Sequence, residues 1–404
     1  MTEVQNEFSV AAHWAGEFDE AGLEAWARKL RGRLAAPQVS LGLLFMSPRF
    51  FPHAADVLEL LRLNARIPLL IGCSGKSLIA GELELEEKAG LVLGLYYLPG
   101  AKLKALHFDQ EQVDEASGPD YWRAETGVRL DETNGWLAFA DPFRMDCESW
   151  LREWNEAYAP RPILGGLASG ESSEPGTQLY LNGEVFDEGG VAVSVGGDVA
   201  LESIISQGCT PIGDTWTITK ADRNVIFQIA NRRAYDVLAE TFNKLSPDEQ
   251  RKSQGNLHIG LVVNEYLEEF HRGDFLIRTL MAADPGTGAI AVGALPRIGQ
   301  TIQFQRRDAA TGTDDIRILL QREKTKLGRR KIFGGCLCSC NGRGRQLFRE
   351  PNHDARHVQE TLGRFGLAGF FCNGEVGPVG ERNFLHGYTA SLGLFVAKAD
   401  SPHE

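Results

Sequence analysis

The chain has 404 residues, of which 43% are hydrophobic and 24% charged, and its formal net charge is −12. This length fits two or three domains, and this composition is that of a globular protein with a buried core. The acidic balance disfavours attraction to nucleic acid or anionic lipid, so neither is expected as a partner.

The cysteine content and the absence of apolar segments indicate the compartment. There are seven cysteines, an odd number. The segment from Met1 to Val10 is polar and acidic and lacks the apolar region of a secretory signal. No stretch approaches the roughly 20 apolar residues that a membrane span needs. We therefore expect reduced thiols, no membrane insertion and a cytoplasmic location.

The first predicted element is an amphipathic helix over residues 17–34. Leu23, Trp26, Ala27 and Leu30 recur there at helical spacing and form its inward face. The helix lies in an N-terminal extension, residues 1–37.

A pattern of strand, helix, strand with a glycine-rich turn, and further strands then recurs three times. The copies open at Val39, Trp136 and Ile332. Their helices are predicted over 53–64, 147–158 and 353–365. Strands joined through a helix pair in parallel, whereas strands joined by short links pair antiparallel. The pattern therefore predicts a mixed α/β fold, in which largely antiparallel sheets stack in layers with helices outside.

The segment between the second and third copies has a different pattern. Paired strands are predicted over 215–219 and 225–228, and a helix over 234–245. A polar, turn-rich stretch follows at 246–255, and strands are predicted over 257–263 and 288–293. A basic run from Arg322 to Lys331 is interpreted as a solvated loop before a strand, with an anion or partner patch as the alternative. We predict two domains, residues 38–222 and 223–396, and a tail, residues 397–404.

Several motifs carry a family resemblance that spans about residues 38–395. The main ones are Leu164-Gly-Gly-Leu-Ala-Ser-Gly170, Cys340-Asn-Gly-Arg-Gly344, Gly369-Phe-Phe-Cys-Asn-Gly-Glu-Val-Gly377 and Leu385-His-Gly-Tyr-Thr-Ala390. The chain resembles the FIST proteins, which have tandem N-terminal and C-terminal FIST domains and include bacterial signalling proteins and some F-box proteins. No F-box is recognisable in the first 37 residues. The resemblance implies an intracellular sensory protein that binds a small ligand, with amino acids or their derivatives as the expected class, and signals through a separate protein.

The candidate ligand-binding residues lie mainly in the glycine-cornered turns and at the opening of the last strand. Glycines in such turns let backbone N–H groups approach a ligand, although they also serve simply to make a turn. We expect the ligand in a cleft between the two domains, because small-molecule sites favour domain interfaces. The candidates are Cys73, Ser74, Ser169, Cys209, Cys340, Arg343, Asn373, Glu375, His386 and Thr389.

Each polar candidate also has a structural alternative. The Arg343 guanidinium suits a ligand carboxylate, or else caps a turn. Glu375 suits a ligand amine, or else is a surface residue. His386 and Thr389 suit hydrogen bonds in a pocket, although a core histidine is the commoner outcome. Cys209 could line the cleft or fill a small buried space.

Three alternate cysteines, Cys336, Cys338 and Cys340, share one face of a predicted strand. Thiolates bind zinc or copper, and Cys372 or His386 would complete such a site, but core filling is the favoured interpretation and no metal or cofactor is predicted. Catalytic residues are not predicted either. Two alternatives to the sensor remain open: a cysteine-dependent enzyme acting on a small molecule, and an interaction scaffold without a small ligand.

Overall fold

A computed structural model describes residues 7–171, 176–271 and 273–399; the last five residues of the predicted tail and the first six of the N-terminal extension lie outside these ranges. The chain divides into two compact units. Unit 1 comprises the residues up to 205 together with those from 317 on, and unit 2 comprises 206–316. Among the described residues, no helix has the length and apolarity required to cross a membrane.

Unit 1 contains three topologically equivalent repeats. Repeat 1 consists of β1 (Ser9–Ala15), α1 (Glu20–Arg33), β2 (Leu41–Met46), α2 (Ala54–Ala65), β3 (Leu70–Ser74), β4 (Leu78–Ala80), β5 (Leu83–Leu85) and β6 (Gly90–Tyr96). Repeat 2 consists of β7 (Ala101–Phe108), α3 (Gln110–Glu115), α4 (Pro119–Thr126), β8 (Gly135–Ala140), α5 (Cys147–Tyr158), β9 (Ile163–Leu167), β10 (Leu179–Leu181), β11 (Glu184–Phe186) and β12 (Gly190–Gly197).

Repeat 3 is interrupted in sequence by unit 2. It consists of β13 (Val199–Ser206), β21 (Ile332–Cys340), α9 (Gly344–Phe348), α10 (His353–Leu362), β22 (Leu367–Cys372), β23 (Glu375–Val379), β24 (Arg382–His386) and β25 (Ala390–Ala397). Between β13 and β21 lie β14 (Cys209–Asp222), β15 (Val225–Ile229), β16 (Arg232–Arg233), α6 (Ala234–Asn243), α7 (Pro247–Ser253), β17 (Leu257–Val262), β18 (Phe275–Ala283), β19 (Ile290–Val292), β20 (Thr301–Arg307) and α8 (Ala309–Leu327).

Each repeat contributes four strands to its own sheet and a two-stranded hairpin to another. The sheet orders are β1-β6-β2-β3-β10-β11, β7-β12-β8-β9-β23-β24 and β13-β25-β21-β22-β4-β5. The hairpin of repeat 1 thus completes the sheet of repeat 3, that of repeat 2 the sheet of repeat 1, and that of repeat 3 the sheet of repeat 2. This cyclic exchange makes unit 1 pseudo-threefold in topology.

The central strands are buried on both faces, as strand β2 illustrates. Leu41, Leu43 and Phe45 point into a central apolar cluster that collects side chains from all three sheets. Leu44 and Met46 point the other way, into a cluster with the α1 and α2 helices. Successive side chains of a strand alternate between faces, so each sheet is covered by helices outside and by the other sheets inside.

One glycine in each repeat fixes how the repeats align. A Cβ atom at Gly72, Gly165 or Gly369 would lie 1.7, 1.8 or 1.9 Å from a carbonyl oxygen of the neighbouring parallel strand. No side chain fits such an approach, so these three positions are structurally equivalent. The strand register next to these glycines then identifies equivalent residues of the three repeats.

Unit 2 is one seven-stranded sheet, in the order β14-β20-β17-β18-β19-β15-β16. The long strand β14 pairs with β20 along one part and with β15 along another, which curls the sheet. Ile218, Ile259 and Phe304 are among the fully buried residues of its own apolar cluster, against which α6 packs.

The α/β class with stacked, largely antiparallel sheets and outer helices is confirmed, as are the helices over 17–34, 53–64, 147–158, 353–365 and 234–245 to within a few residues. Two predictions of irregular structure are wrong. The polar stretch 246–255 contains α7, which begins with a capping box between Ser246 and Glu249. Most of the basic run from Arg322 to Lys331 belongs to α8, in which Lys326 makes an ion pair with Glu202; Arg330, beyond the end of the helix, pairs with the same carboxylate.

Candidate functional site

The glycine-cornered turns of the three repeats meet and bond one another. The Ser169 N–H donates to the Ser74 carbonyl, and the Asn373 N–H donates to the Leu167 carbonyl, both at 3.1 Å. The third link passes through the buried Ser169 hydroxyl, which accepts from the Lys76 N–H and donates to the Phe371 carbonyl. Ser74 adds a hydroxyl donation of 3.0 Å to the Ser169 carbonyl. Ser74 and Ser169 are therefore brought together, in a ring of turns that joins the repeats.

The first strand of each exchanged hairpin carries one residue at an equivalent position, namely Leu78, Leu179 and Glu375. They oppose Phe370, Cys73 and Gly166, each the residue after the alignment glycine. Leu78 and Leu179 belong to the central apolar cluster. Repeat 3 thus has the fully buried carboxyl group of Glu375 at the position where repeats 1 and 2 have a buried leucine.

The Glu375 carboxyl group is held by three neighbours. The Thr389 N–H donates to Oε2 at 2.9 Å, and the Cys372 thiol lies 3.3 Å from Oε1. The Cys340 thiol also hydrogen-bonds to it. Burial raises the pKa of Glu375 to about 8, in spite of these bonds, so the group is mainly protonated at neutral pH. A buried, mostly neutral carboxyl group is a poor partner for a ligand amine.

Cys340 is the partly exposed member of this cluster, and it is the one cysteine of the seven that is not buried. It ends β21, directly opposite Cys372 on the parallel strand β22. The Cys372 thiol is fully buried, and burial, together with the adjacent Glu375, raises its pKa well above the ordinary range. Cys340 is therefore the solvent-facing thiol of the pair.

Arg343 lies next to this cluster, but its side chain is fully buried. Its Nε and Nη2 atoms donate to the two oxygens of Asp354 at 2.6 and 2.9 Å. The neighbouring Arg343 and His353 hold the pKa of Asp354 below its usual range against the effect of burial. The bidentate face of the guanidinium thus binds a protein carboxylate, and its Nη1 donates to the Tyr388 carbonyl at 3.5 Å.

The Asp354 carboxylate is the centre of a wider buried network. It also accepts from the Ser339 hydroxyl at 3.1 Å and contacts His353 Nδ1 at 2.8 Å. Glu84, from the exchanged hairpin of repeat 1, accepts the N–H groups of His353 and Ala355 at the start of α10. Burial and Asp354 raise the pKa of Glu84 to about 7. Two repeats are joined here through these hydrogen bonds to α10 as well as through the sheet.

The rim above Cys340 is made of short polar segments. Asn341 Nδ2 donates to Asn373 Oδ1 at 2.9 Å, and the Asn373 amide in turn donates to the Ala168 carbonyl. The ring of Tyr388 lies beside Gly342. Tyr388 has φ +63, a left-handed conformation that is unfavourable for a bulky residue and is concentrated at functional sites. An accessible thiol, two amides and an aromatic ring therefore share one small area.

The remaining predicted residues occupy less accessible places. Cys73 is fully buried in the central apolar cluster. His386 opposes Glu375 in the β23–β24 hairpin, and its Nε2 contacts the Gly377 carbonyl at 3.0 Å. Thr389 is buried, with its hydroxyl donating to the Gly387 carbonyl. Cys209 belongs to unit 2, where it packs in a small apolar cluster with Val262 and Phe275.

The alternate cysteines of β21 pack in different environments. Cys336 and Cys338 lie in the central apolar cluster with their sulfur atoms 4.0 Å apart, whereas Cys340 lies at the strand end. Within the described part of the chain, no three His, Cys, Asp or Glu side chains converge in a way that could hold a metal ion. His353 and His357 make an edge-on ring contact on α10.

Sequence reasoning missed Asp354 and Glu84, and it placed Tyr388 in a polar cluster with His386 and Thr389 without counting it among the candidate ligand-binding residues. Asp354 looks like an ordinary acid in the first turn of a helix. Glu84 lies in the run Glu82-Leu-Glu-Leu-Glu86, in which only the strand alternation hints that one acid faces inward. Tyr388 lies in the motif Leu385-His-Gly-Tyr-Thr-Ala390, but this sequence does not predict its left-handed backbone conformation.

Two surface cavities lie elsewhere in unit 1. One, of about 650 Å³, is lined by residues that include Asp56, Arg62 and Arg66. The other, of about 340 Å³, is lined by residues that include Lys104 and Asn134. Both are alternative candidate sites for a ligand of unit 1.

Comparison with known proteins identifies the family. Residues 40–232 match the FIST N domain, and residues 234–378 match the FIST C domain. The chain belongs to the FIST family. FIST domains are generally regarded as small-ligand sensory domains of signalling proteins. The two matches follow each other in sequence, and together they cover most of the chain.

Relatives are similar along almost the whole length. The uncharacterized protein Rv0628c of Mycobacterium tuberculosis is 36% identical over 389 residues, which is 96% of this chain and 99% of that protein. The uncharacterized protein Mb0898c of Mycobacterium bovis is 37% identical over 379 residues, 93% of this chain and 95% of that protein. The uncharacterized protein MJ1623 of Methanocaldococcus jannaschii is 23% identical over 62% of this chain and 49% of its own.

Among solved structures, a cyanuric acid hydrolase from A. caulinodans is similar along 95% of this chain and 99% of its own. The TM-score is 0.34 and the sequence identity 9%. A similarity this low supports no conclusion about fold or activity.

Proposed function

We propose that this FIST protein is a sensor that binds a small polar ligand at the rim formed by Cys340, Asn341, Asn373 and Tyr388, above Glu375. The observation that carries the proposal is the change at one repeat position, from leucine in repeats 1 and 2 to a buried glutamate in repeat 3. Burying a carboxyl group there costs stability, and natural proteins keep such costs mainly where function needs them.

The contacts of the rim favour a ligand that is recognised by hydrogen bonds rather than by charge. Arg343 and Asp354 neutralise each other, and Glu375 is mainly protonated at neutral pH. The two asparagine amides offer both donors and acceptors, and Tyr388 offers an aromatic face. Amide-bearing metabolites, which include amino-acid derivatives, fit this chemistry. A free amino acid held by a full carboxylate clamp and an ionised glutamate fits it less well.

The sensor would act in the cytoplasm and pass its signal to a separate protein. None of the seven cysteines, all of which are described, is in a disulfide, and such thiols persist in a reducing compartment. A ligand at the rim would affect all three repeats, because the ring of hydrogen-bonded turns that contain Ser74, Ser169 and Asn373 lies next to the rim.

A thermal-shift screen of amino acids, their amide derivatives and nucleotides tests the proposal. A ligand at about 100 times its dissociation constant stabilises the folded state by about 2.7 kcal/mol. We expect a hit that Asn373→Ala abolishes and that the control Asn256→Ala, at an exposed asparagine of unit 2, preserves. No shift across the panel, or a shift that survives Asn373→Ala but is lost in Arg62→Ala, would contradict the proposal.

A further inference from the structure

Two thiols from neighbouring strands share one carboxyl group. Cys340 and Cys372 are direct register partners across the parallel strands β21 and β22. Adjacent strands lie about 4.8 Å apart, which falls within the Cα separation of about 4.4–6.8 Å that a disulfide requires. Both thiols hydrogen-bond to the Glu375 carboxyl, so they project to the same side. The two sulfur atoms are therefore placed to react with each other.

We propose that Cys340 and Cys372 form a peroxide-reactive pair: a hydroperoxide oxidises Cys340, and Cys372 then closes a disulfide with it. The division of roles follows from exposure. Cys340 is partly exposed and can meet a small oxidant, whereas Cys372 is buried away from solvent. This inference goes beyond ligand sensing and does not depend on it.

The first step consumes one molecule of hydroperoxide. The Cys340 sulfur attacks an outer peroxide oxygen, an S–O bond forms and the O–O bond breaks. Sulfur is oxidised to the sulfenic acid, and the peroxide is reduced to water or an alcohol. The proton lost by the thiol reaches the leaving oxygen through the Glu375 carboxyl, which hydrogen-bonds to Cys340.

The second step consumes the sulfenic acid. The Cys372 sulfur attacks the Cys340 sulfur, an S–S bond forms and the S–O bond breaks. Hydroxide leaves and combines with the Cys372 proton to give a second water. The neutral Glu375 carboxyl relays that proton: Oε1, which lies 3.3 Å from the Cys372 sulfur, accepts it while the carboxyl releases its own proton to the leaving hydroxide. A small dithiol then reduces the Cys340–Cys372 disulfide by exchange, restores both thiols and is itself oxidised to a disulfide.

The pair Cys336 and Cys338 is the competing site. Their sulfur atoms are 4.0 Å apart, but both side chains are 1% exposed and they are two residues apart on one strand. An oxidant in solution reaches neither of them directly. These two cysteines supply the matched controls, since they share the strand with Cys340 but have no contact with Glu375 among those described for them.

The test treats the reduced full-length protein with stoichiometric hydrogen peroxide and follows the thiols by mass spectrometry. The wild type should lose two hydrogen masses, and fragmentation of the linked peptides should join Cys340 to Cys372. Cys338→Ala should behave in the same way. Cys372→Ser should stop at a sulfenic acid that dimedone labels at Cys340. Glu375→Gln should slow the loss of the Cys340 thiol by about tenfold or more, because it removes the proton carrier.

Other results overturn the inference. A disulfide between Cys336 and Cys338 would place the reactive pair elsewhere. Sulfenic acid at several cysteines, at rates equal to those of an unfolded control, would remove the selectivity. Dimedone labelling of Cys372→Ser at positions other than Cys340 would do the same. Since that variant keeps the proposed attacking thiol, the labelling position decides the question even if Glu375→Gln folds poorly.

Discussion

The buried carboxyl of Glu375 should make the stability of unit 1 depend on pH in a way that one substitution removes. The folded-state pKa is about 8, against an ordinary value of 4.5. Between these values the unfolded chain has released the proton and the folded protein still holds it. The free energy of unfolding therefore falls as the pH rises from about 4.5 to about 8, and the loss is complete above the folded-state pKa.

The expected slope follows from one proton. A difference of one bound proton changes the free energy of unfolding by about 1.4 kcal/mol per pH unit at 25 °C. Glu84, with a pKa of about 7, adds a second contribution of the same sign at lower pH. Comparison with Glu375→Gln isolates the first, because glutamine keeps the shape and still accepts from the Thr389 N–H but does not ionise.

The assay is urea unfolding of the wild type and Glu375→Gln at several pH values from 5 to 9, with tryptophan fluorescence as the signal. Trp122, Trp136, Trp150 and Trp154 are buried in repeat 2, so this signal reports on unit 1. The free energy of unfolding of the wild type should fall relative to that of the variant by about 1 kcal/mol per pH unit up to about pH 8. Above that pH the two stability curves should be parallel. Parallel curves over the whole range would refute the assignment of a raised pKa to Glu375.

Two further substitution sets test the packing around the site. Arg343→Ala should lower the free energy of unfolding, measured with urea, by about 4 kcal/mol, because it leaves Asp354 charged and buried without its partner. The double variant Arg343→Met with Asp354→Leu should lose less stability than either of its two single variants. A loss in the double variant equal to the sum of the two single losses would contradict this. Gly369→Ala should lower the free energy of unfolding by about 3 kcal/mol or more, because the added Cβ would clash with the Leu337 carbonyl oxygen at 1.9 Å. The matched control Gly32→Ala, in helix α1 with open space around it, should stabilise by about 0.5–1 kcal/mol, and equal effects at the two glycines would contradict the alignment.

Local elements were predictable from the sequence, because their signals lie within a few residues. Helix α5 has the bounds predicted for it, since Trp150, Leu151 and Trp154 recur at helical spacing and Asp146 caps the first turn. The threefold recurrence of the strand, helix and strand pattern was also predictable from the sequence. The first strand of each repeat was not, because β1 belongs to a sheet only through its pairing with β6, far along the chain.

The exchange of hairpins and the contacts of the site were not predictable for the same reason. The sequence around Glu375 does not indicate that its strand pairs with β9 of repeat 2 rather than with the sheet of repeat 3. Arg343 was a plausible ligand clamp until its partner was known, and Asp354 is one of many acids in the sequence. Cys340, Asn373 and Glu375 were found from their motifs, but which of them faces solvent depends on the fold.

The most direct test of the proposed rim is the rate of iodoacetamide labelling of each thiol in the folded protein at neutral pH, resolved by mass spectrometry. We predict that Cys340 is labelled first, well ahead of the six buried cysteines, and that a ligand found in the thermal-shift screen slows this labelling. Slow and equal labelling of all seven thiols, or Cys340 labelling that a bound ligand leaves unchanged, would contradict it.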